Sequence, residues 1–139
     1  MLPDTVALLA GALLLGAMAF FSFIVAPMVF VQLEAPLAAR VIRALFPAYY
    51  LVITGLGAAT ALPLAIAGRP ADAAAMAFVA GFAALLRQGL LPRLDALRAA
   101  KEAGDAAAAQ RFARLHRASV AVNMAQLLAT GAVLLRLAL

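Results

Sequence analysis

The sequence predicts an all-α membrane protein, a four-transmembrane-helix bundle with a cytoplasmic helical hairpin between helices 3 and 4. Three observations predict it. Hydrophobic residues make up 68% of the 139 and charged residues 12%, against about 45–50% and about 25% in soluble domains. A soluble chain of this size cannot hide so much apolar surface from water. The apolar residues gather into four runs, each near the roughly 20 residues that cross a hydrocarbon core, and the basic residues fall unevenly between the connecting loops. The whole chain, residues 1–139, is read as one domain with spans at about 6–31, 44–67, 73–91 and 118–136.

The first span, Val6 to Val31, is uncharged and about 39 Å long as a helix. A cleaved signal peptide is not expected, because the leader offers Asp4 rather than basic residues and the apolar run continues well past Ala19. Pro27 lies inside this span. It should free the carbonyl of Phe23 and kink the helix there, beside Phe20, Phe21, Phe23 and Phe30.

The second span, Ala44 to Ala67, opens with Pro47 in its first turn, where a missing N–H costs little. Pro63 should free the carbonyl of Ala59. Thr54, Gly55, Gly57, Ala58 and Ala61 give this helix small faces for close approach to a neighbour. Gly68 and Pro70 then stop the helix and turn the chain.

The third span follows Asp72, read as its N-cap, and reaches Leu91, with Arg87 and Gln88 in its last turn. Leu90, Leu94 and Leu97 recur at helical spacing into the hairpin, residues 92–117, and Phe112 and Leu115 continue an apolar face later in it. Gly104 followed by Asp105 reads as a helix stop and a new N-cap. A long final helix should run unbroken from there into the fourth span, with Arg136 anchoring its far end. Arg111, Arg114 and Arg117 should ring the lipid headgroups.

Counting basic residues sets the orientation. Arg40, Arg43, Arg87, Arg93, Arg98, Lys101, Arg111, Arg114 and Arg117 fall on one side, Arg69 and Arg136 on the other. That asymmetry puts the first and third loops in the cytoplasm and both termini in the periplasm of a bacterial inner membrane.

The most informative pattern lies on the last helix. His116, Ser119, Asn123, Gln126 and Thr130 are spaced by three, four, three and four, which aligns them along one stripe. Amides in hydrocarbon are costly unless paired, so the stripe should face the other helices or a polar cavity. Ser22, Tyr49, Tyr50, Thr54, Thr60 and Gln88 are the available partners, and Glu34 should pair with Arg87, Arg111 or Arg114. Two roles compete for the stripe: hydrogen bonding that sets helix register, and a ligand site. The candidate site is the cytoplasmic half of the bundle, where Pro27, Tyr49, Tyr50, His116, Ser119, Asn123 and Gln126 converge.

The chain has no cysteine and one histidine, so no ordinary transition-metal cage is expected. Met18, Met28, Met76 and Met124 are scattered, as gap-filling methionines are. No acid–base pair, activated serine or glycine-rich phosphate loop is present, so no enzyme activity is expected. No cofactor is predicted, a haem held through His116 being the minor alternative.

The segments Phe20-Phe21-Ser22-Phe23-Ile24-Val25-Ala26-Pro27-Met28-Val29-Phe30 and Leu45-Phe46-Pro47-Ala48-Tyr49-Tyr50 resemble the first two spans of the transmembrane protein 205-like domain family. Phe112-Ala113-Arg114-Leu115-His116-Arg117-Ala118-Ser119, continuing to Asn123 and Gln126, is similar to that family's final-helix signature. The resemblance implies a four-helix membrane domain, and the family's bacterial members are mostly uncharacterised. The expected function is a non-enzymatic accessory or small-ligand-binding bundle. A haem- or quinone-binding redox subunit and a small oligomeric transporter are the alternatives. The expected partners are the lipid bilayer and a homo-oligomer or larger membrane complex, and not nucleic acid.

Overall fold

The computed structural model describes residues 1–139 as four long helices: α1 Leu2–Gln32, α2 Ala35–Ile66, α3 Pro70–Glu102 and α4 Ala106–Ala138. Loops of two or three residues join them, so neighbouring helices run antiparallel. All four are long and apolar enough to cross a membrane. At 1.5 Å per residue each rod is about 46–50 Å long, beyond the roughly 30 Å of hydrocarbon. The charged ends must therefore project from the apolar slab.

The chain punctuation explains most boundaries. Glu34 takes an extended backbone and Pro36 falls in the first turn of α2. Gly68 and Gly104 close α2 and α3 with φ of +73° and +95°, a conformation natural to glycine. Asp105 caps α4, its carboxylate accepting from the Ala108 N–H at 3.1 Å.

Three boundaries differ from the sequence expectation. Helix α2 begins at Ala35, so Pro47 lies in its interior and not in its first turn. Arg69 occupies the N-cap position of α3, and Asp72 lies in the first turn. The third span does not end before the hairpin, because α3 continues through Pro92 to Glu102. The hairpin is the projecting end of two rods.

The continuity past proline has a local cause. A π-helical turn at Phe21–Val25 stands just before Pro27, and a second at Leu86–Leu90 just before Pro92. In the first the Ala26 N–H reaches the Phe21 carbonyl, and in the second Leu91 reaches Leu86. Widening the turn by one residue makes room for a proline ring without breaking the rod. Pro63 stays within continuous α-helix, and having no N–H it leaves the Ala59 carbonyl without its intrahelical donor, as expected.

Leu14, Met18, Ile53, Leu64, Met76 and Val79 are fully enclosed and form the core. Helices α2 and α3 approach closely at Gly57, where an added Cβ would stand 3.0 Å from Ala80 Cβ. Outside, Leu62, Ile66, Phe78, Leu128 and Leu135 are each about two-thirds exposed or more. A surface so apolar needs lipid as its solvent. This is a multi-pass membrane protein.

At the end of the bundle holding both termini, Asp72 ties α3 to α4. Its nearly buried carboxylate lies 3.1 Å from Arg69 Nε and 3.0 Å from Arg136 Nη1. Arg69 Nη2 also donates to the Arg136 carbonyl at 3.0 Å, satisfying a free acceptor at the end of α4. Arg136 is thus an ion-pair partner as well as a terminal basic residue.

Candidate functional site

The polar stripe of α4 turns inward. Thr130 is fully buried and Gln126 and Ser119 nearly so. Its centre is Asn123, whose side chain links two other helices. The Tyr49 hydroxyl donates to Asn123 Oδ1 at 2.6 Å, and Asn123 Nδ2 donates to Ser22 Oγ at 2.8 Å. Ser22 belongs to the first π-helical turn, and so does Phe21, which stacks on Tyr49 with centroids 4.1 Å apart. The widened turn before Pro27 therefore supplies both groups that meet Tyr49 and Asn123.

The remaining stripe residues serve different ends. Gln126 Nε2 donates to the Val79 carbonyl of α3 at 3.1 Å, while its Oε1 is buried without a partner. Ser119 and Thr130 return their hydroxyls to carbonyls of their own helix, His116 and Gln126. Of the proposed partners, Ser22 and Tyr49 bind the stripe. Thr54 and Thr60 bond within α2, and Gln88 is exposed.

Two cavities adjoin this hub. The inner one, about 280 Å³, is lined by Phe21, Phe46, Tyr49, Tyr50, Ser119 and Asn123 among others. The outer one, about 380 Å³, opens among the charged residues of the hairpin end and includes Arg43, Asp95, Arg98, Lys101 and Glu102. Phe30, Ile42, Phe46 and His116 line both, so the two compartments share a wall.

His116 stands at that boundary, just before the apolar part of α4 begins. Its ring lies parallel to Phe112 at 6.0 Å. Burial, reinforced by the nearby Arg98 charge, pushes its pKa below the ordinary histidine range. The imidazole is held neutral.

The structure brings Tyr49, Tyr50, His116, Ser119 and Asn123 together around the inner cavity. It does not bring Pro27, which is exposed and acts through the shape of α1, nor Gln126, which packs against α3. Glu34 pairs with none of the expected arginines. Arg87 instead donates to the Pro47 carbonyl at 3.1 Å, a tie between α3 and α2. Arg111, Arg114 and Arg117 are exposed along α4. Sequence reasoning missed Arg98 and Lys101, whose charged groups lie 5.2 and 5.3 Å from the centre of the Phe112 ring. The signal was an aromatic residue, Phe112, among hairpin cations read only for the orientation or as lipid anchors.

No group of three His, Cys, Asp or Glu side chains converges anywhere in the fold. No curated protein matches the chain, and no solved structure does. One family model matches residues 9–103, from the first third of α1 through the end of α3, and its description is a domain of unknown function, DUF4149. With more than half of its length matched, this chain belongs to the DUF4149 family, an uncharacterised family of which it is a four-helix membrane member.

Proposed function

We propose that this protein is a non-enzymatic bundle of a bacterial inner membrane that binds a small amphiphilic molecule in its paired cavities. The observation that carries this reading is the shared wall of Phe30, Ile42, Phe46 and His116 between an apolar compartment and a charged one. Ligand sites are commonly apolar cavities of about 300–1,000 Å³ with a few placed polar groups. An amphiphile would match both compartments at once.

The excess of basic residues at the hairpin end supports a cytoplasmic location for it, with both termini in the periplasm. The resemblance of the first, second and final helices to the transmembrane protein 205-like domain agrees with a bundle of this kind. A quinone-type ring is the second reading. It is favoured by Tyr50, which stacks on Phe46 at 6.0 Å and borders the inner cavity.

The test is the mass of the protein extracted in nonionic detergent and measured under native conditions. A bound small molecule should accompany the wild type and be depleted in Val120→Trp, which places a large ring at the edge of the inner cavity. A quinone would declare itself by its ultraviolet absorption and reduction with borohydride. Protein that carries no small molecule under any growth condition would contradict the proposal.

A further inference from the structure

Resting on the ligand-binding reading, we propose that the two cavities together hold one monoanionic amphiphile, its oxyanion beside Arg98 and Lys101 and its apolar body against Phe46, Tyr49 and Tyr50. Four observations lead there.

The first is charge balance. The outer cavity is lined by three cations, Arg43, Arg98 and Lys101, and two carboxylates, Asp95 and Glu102. Arg43 Nε stands 3.5 Å from Asp95 Oδ1, so that pair is internally matched. With His116 neutral, three positive charges against two negative leave an excess of one. A single anion closes the balance.

The second is an unmet donor. Arg98 Nη1 is buried and has no hydrogen-bond partner, whereas buried polar groups are paired in the great majority of cases. A guanidinium edge is suited to a carboxylate or phosphate oxygen. Phe112 holds Arg98 and Lys101 against one ring, which keeps both cations at the same part of the wall. Burial and then the neighbouring Arg43 press the Arg98 pKa downward, a crowding of like charge that an anion would relieve.

The third concerns the inner cavity, which no charged side chain lines. Its amide and three of its four hydroxyls are engaged within the protein: Asn123 with Tyr49 and Ser22, and Ser119 with the His116 carbonyl. An ionic head meets no opposite charge there. An apolar body needs none.

The fourth is access. Phe23 and Phe30 line the inner cavity and are themselves 60% and 57% exposed on the lipid-facing surface. An amphiphile can enter sideways from the bilayer with its head at the level of the projecting hairpin.

The experiment uses a built-in reporter. Tyr49 and Tyr50 are the only tyrosines in the chain, and there is no tryptophan. Intrinsic fluorescence therefore comes from the inner cavity. The full-length protein in nonionic detergent is titrated with stearate bearing a mid-chain nitroxide quencher, with circular dichroism melting to verify each variant's fold. Saturable tyrosine quenching is expected. Arg98→Gln should raise the half-saturation concentration about tenfold, the scale of one lost charge-assisted hydrogen bond, and Arg98→Lys should recover part of it. Lys101→Gln, at an exposed position, should raise it several-fold without affecting the fold. Acetate should not compete. Equal saturable quenching by a trimethylammonium analogue would overturn the anionic assignment while leaving amphiphile binding in place. Competition by acetate at the concentrations where stearate binds would make this a free-anion site and overturn the proposal. Absence of saturable quenching by either quencher would overturn the ligand-binding reading as well.

Discussion

Tyr49 and Asn123, 74 residues apart, are joined by a hydrogen bond of 2.6 Å that crosses from α2 to α4. Asn123 passes the connection to Ser22 of α1, so one amide holds three of the four helices. In hydrocarbon such a group cannot fall back on water, and its loss leaves two hydroxyls to find new partners.

Replacing Asn123 by Leu should accordingly destabilise the protein by about 1–2 kcal/mol. Tyr49→Phe should cost less, and the double variant should show a coupling of about 0.6–1.7 kcal/mol. Thermal melts of the detergent-solubilised protein measure both. Gln126→Leu makes a useful contrast. Its Oε1 is already unpartnered, and the Val79 carbonyl it meets belongs to the backbone ladder of α3. That change should be close to neutral.

The ion cluster at the other end invites a separate measurement. Asp72→Asn removes the carboxylate between Arg69 and Arg136. Breaking a fully buried pair costs about 3–5 kcal/mol, but Arg136 is 66% exposed, so a loss of about 1–3 kcal/mol is expected after allowing for solvent screening. Faster proteolysis near the C-terminus should accompany it, because α4 loses its tie to α3.

Close helix approach separates two glycines. At Gly57 a methyl group meets Ala80 Cβ and backbone at 3.0–3.3 Å, and Gly57→Val should cost about 1–3 kcal/mol. At Gly55 nothing lies within 4 Å. Gly55→Ala should be neutral or stabilise by up to about 1 kcal/mol through better helix propensity.

Stability should also depend on pH through His116. Its folded pKa lies below the ordinary value of 6.5, mainly from burial and then from Arg98. The unfolded chain therefore binds the proton more readily, and the contribution is fully present above pH 6.5 and lost as pH falls through the folded pKa. Melting temperature should drop as pH is lowered from 7.5 toward 5. His116→Gln should flatten that part of the curve.

Much of this fold is legible in the sequence because hydrocarbon imposes simple demands. Uncharged runs of the right length mark the spans, Gly104 with Asp105 marks the sharp reversal, and the spacing from His116 to Thr130 marks the inward face. Prolines are where the reading fails. Pro47, read as part of a first turn, and Pro92, read as the start of the hairpin, both lie inside continuous rods; at Pro92 a π-helical turn makes room for the ring. Whether a rod continues past a proline is decided by its packing against neighbouring helices, which local spacing does not show. The role of Asp72 is hidden for the same reason, since its second partner lies 64 residues away. The outer cavity depends on Arg98, Phe112 and Arg43 meeting from three helices, and no local pattern announces that.

The α4 stripe is enclosed by the bundle while the opposite face of the helix, at Leu128, is exposed toward lipid. The chain contains no native cysteine, so single nitroxide labels can be placed through Ser119→Cys and Leu128→Cys in protein reconstituted into liposomes. Collision with dissolved oxygen, which concentrates in the bilayer, should be high at position 128 and several-fold lower at position 119. Equal oxygen accessibility at the two positions would contradict the inward-facing stripe and the cavity built upon it.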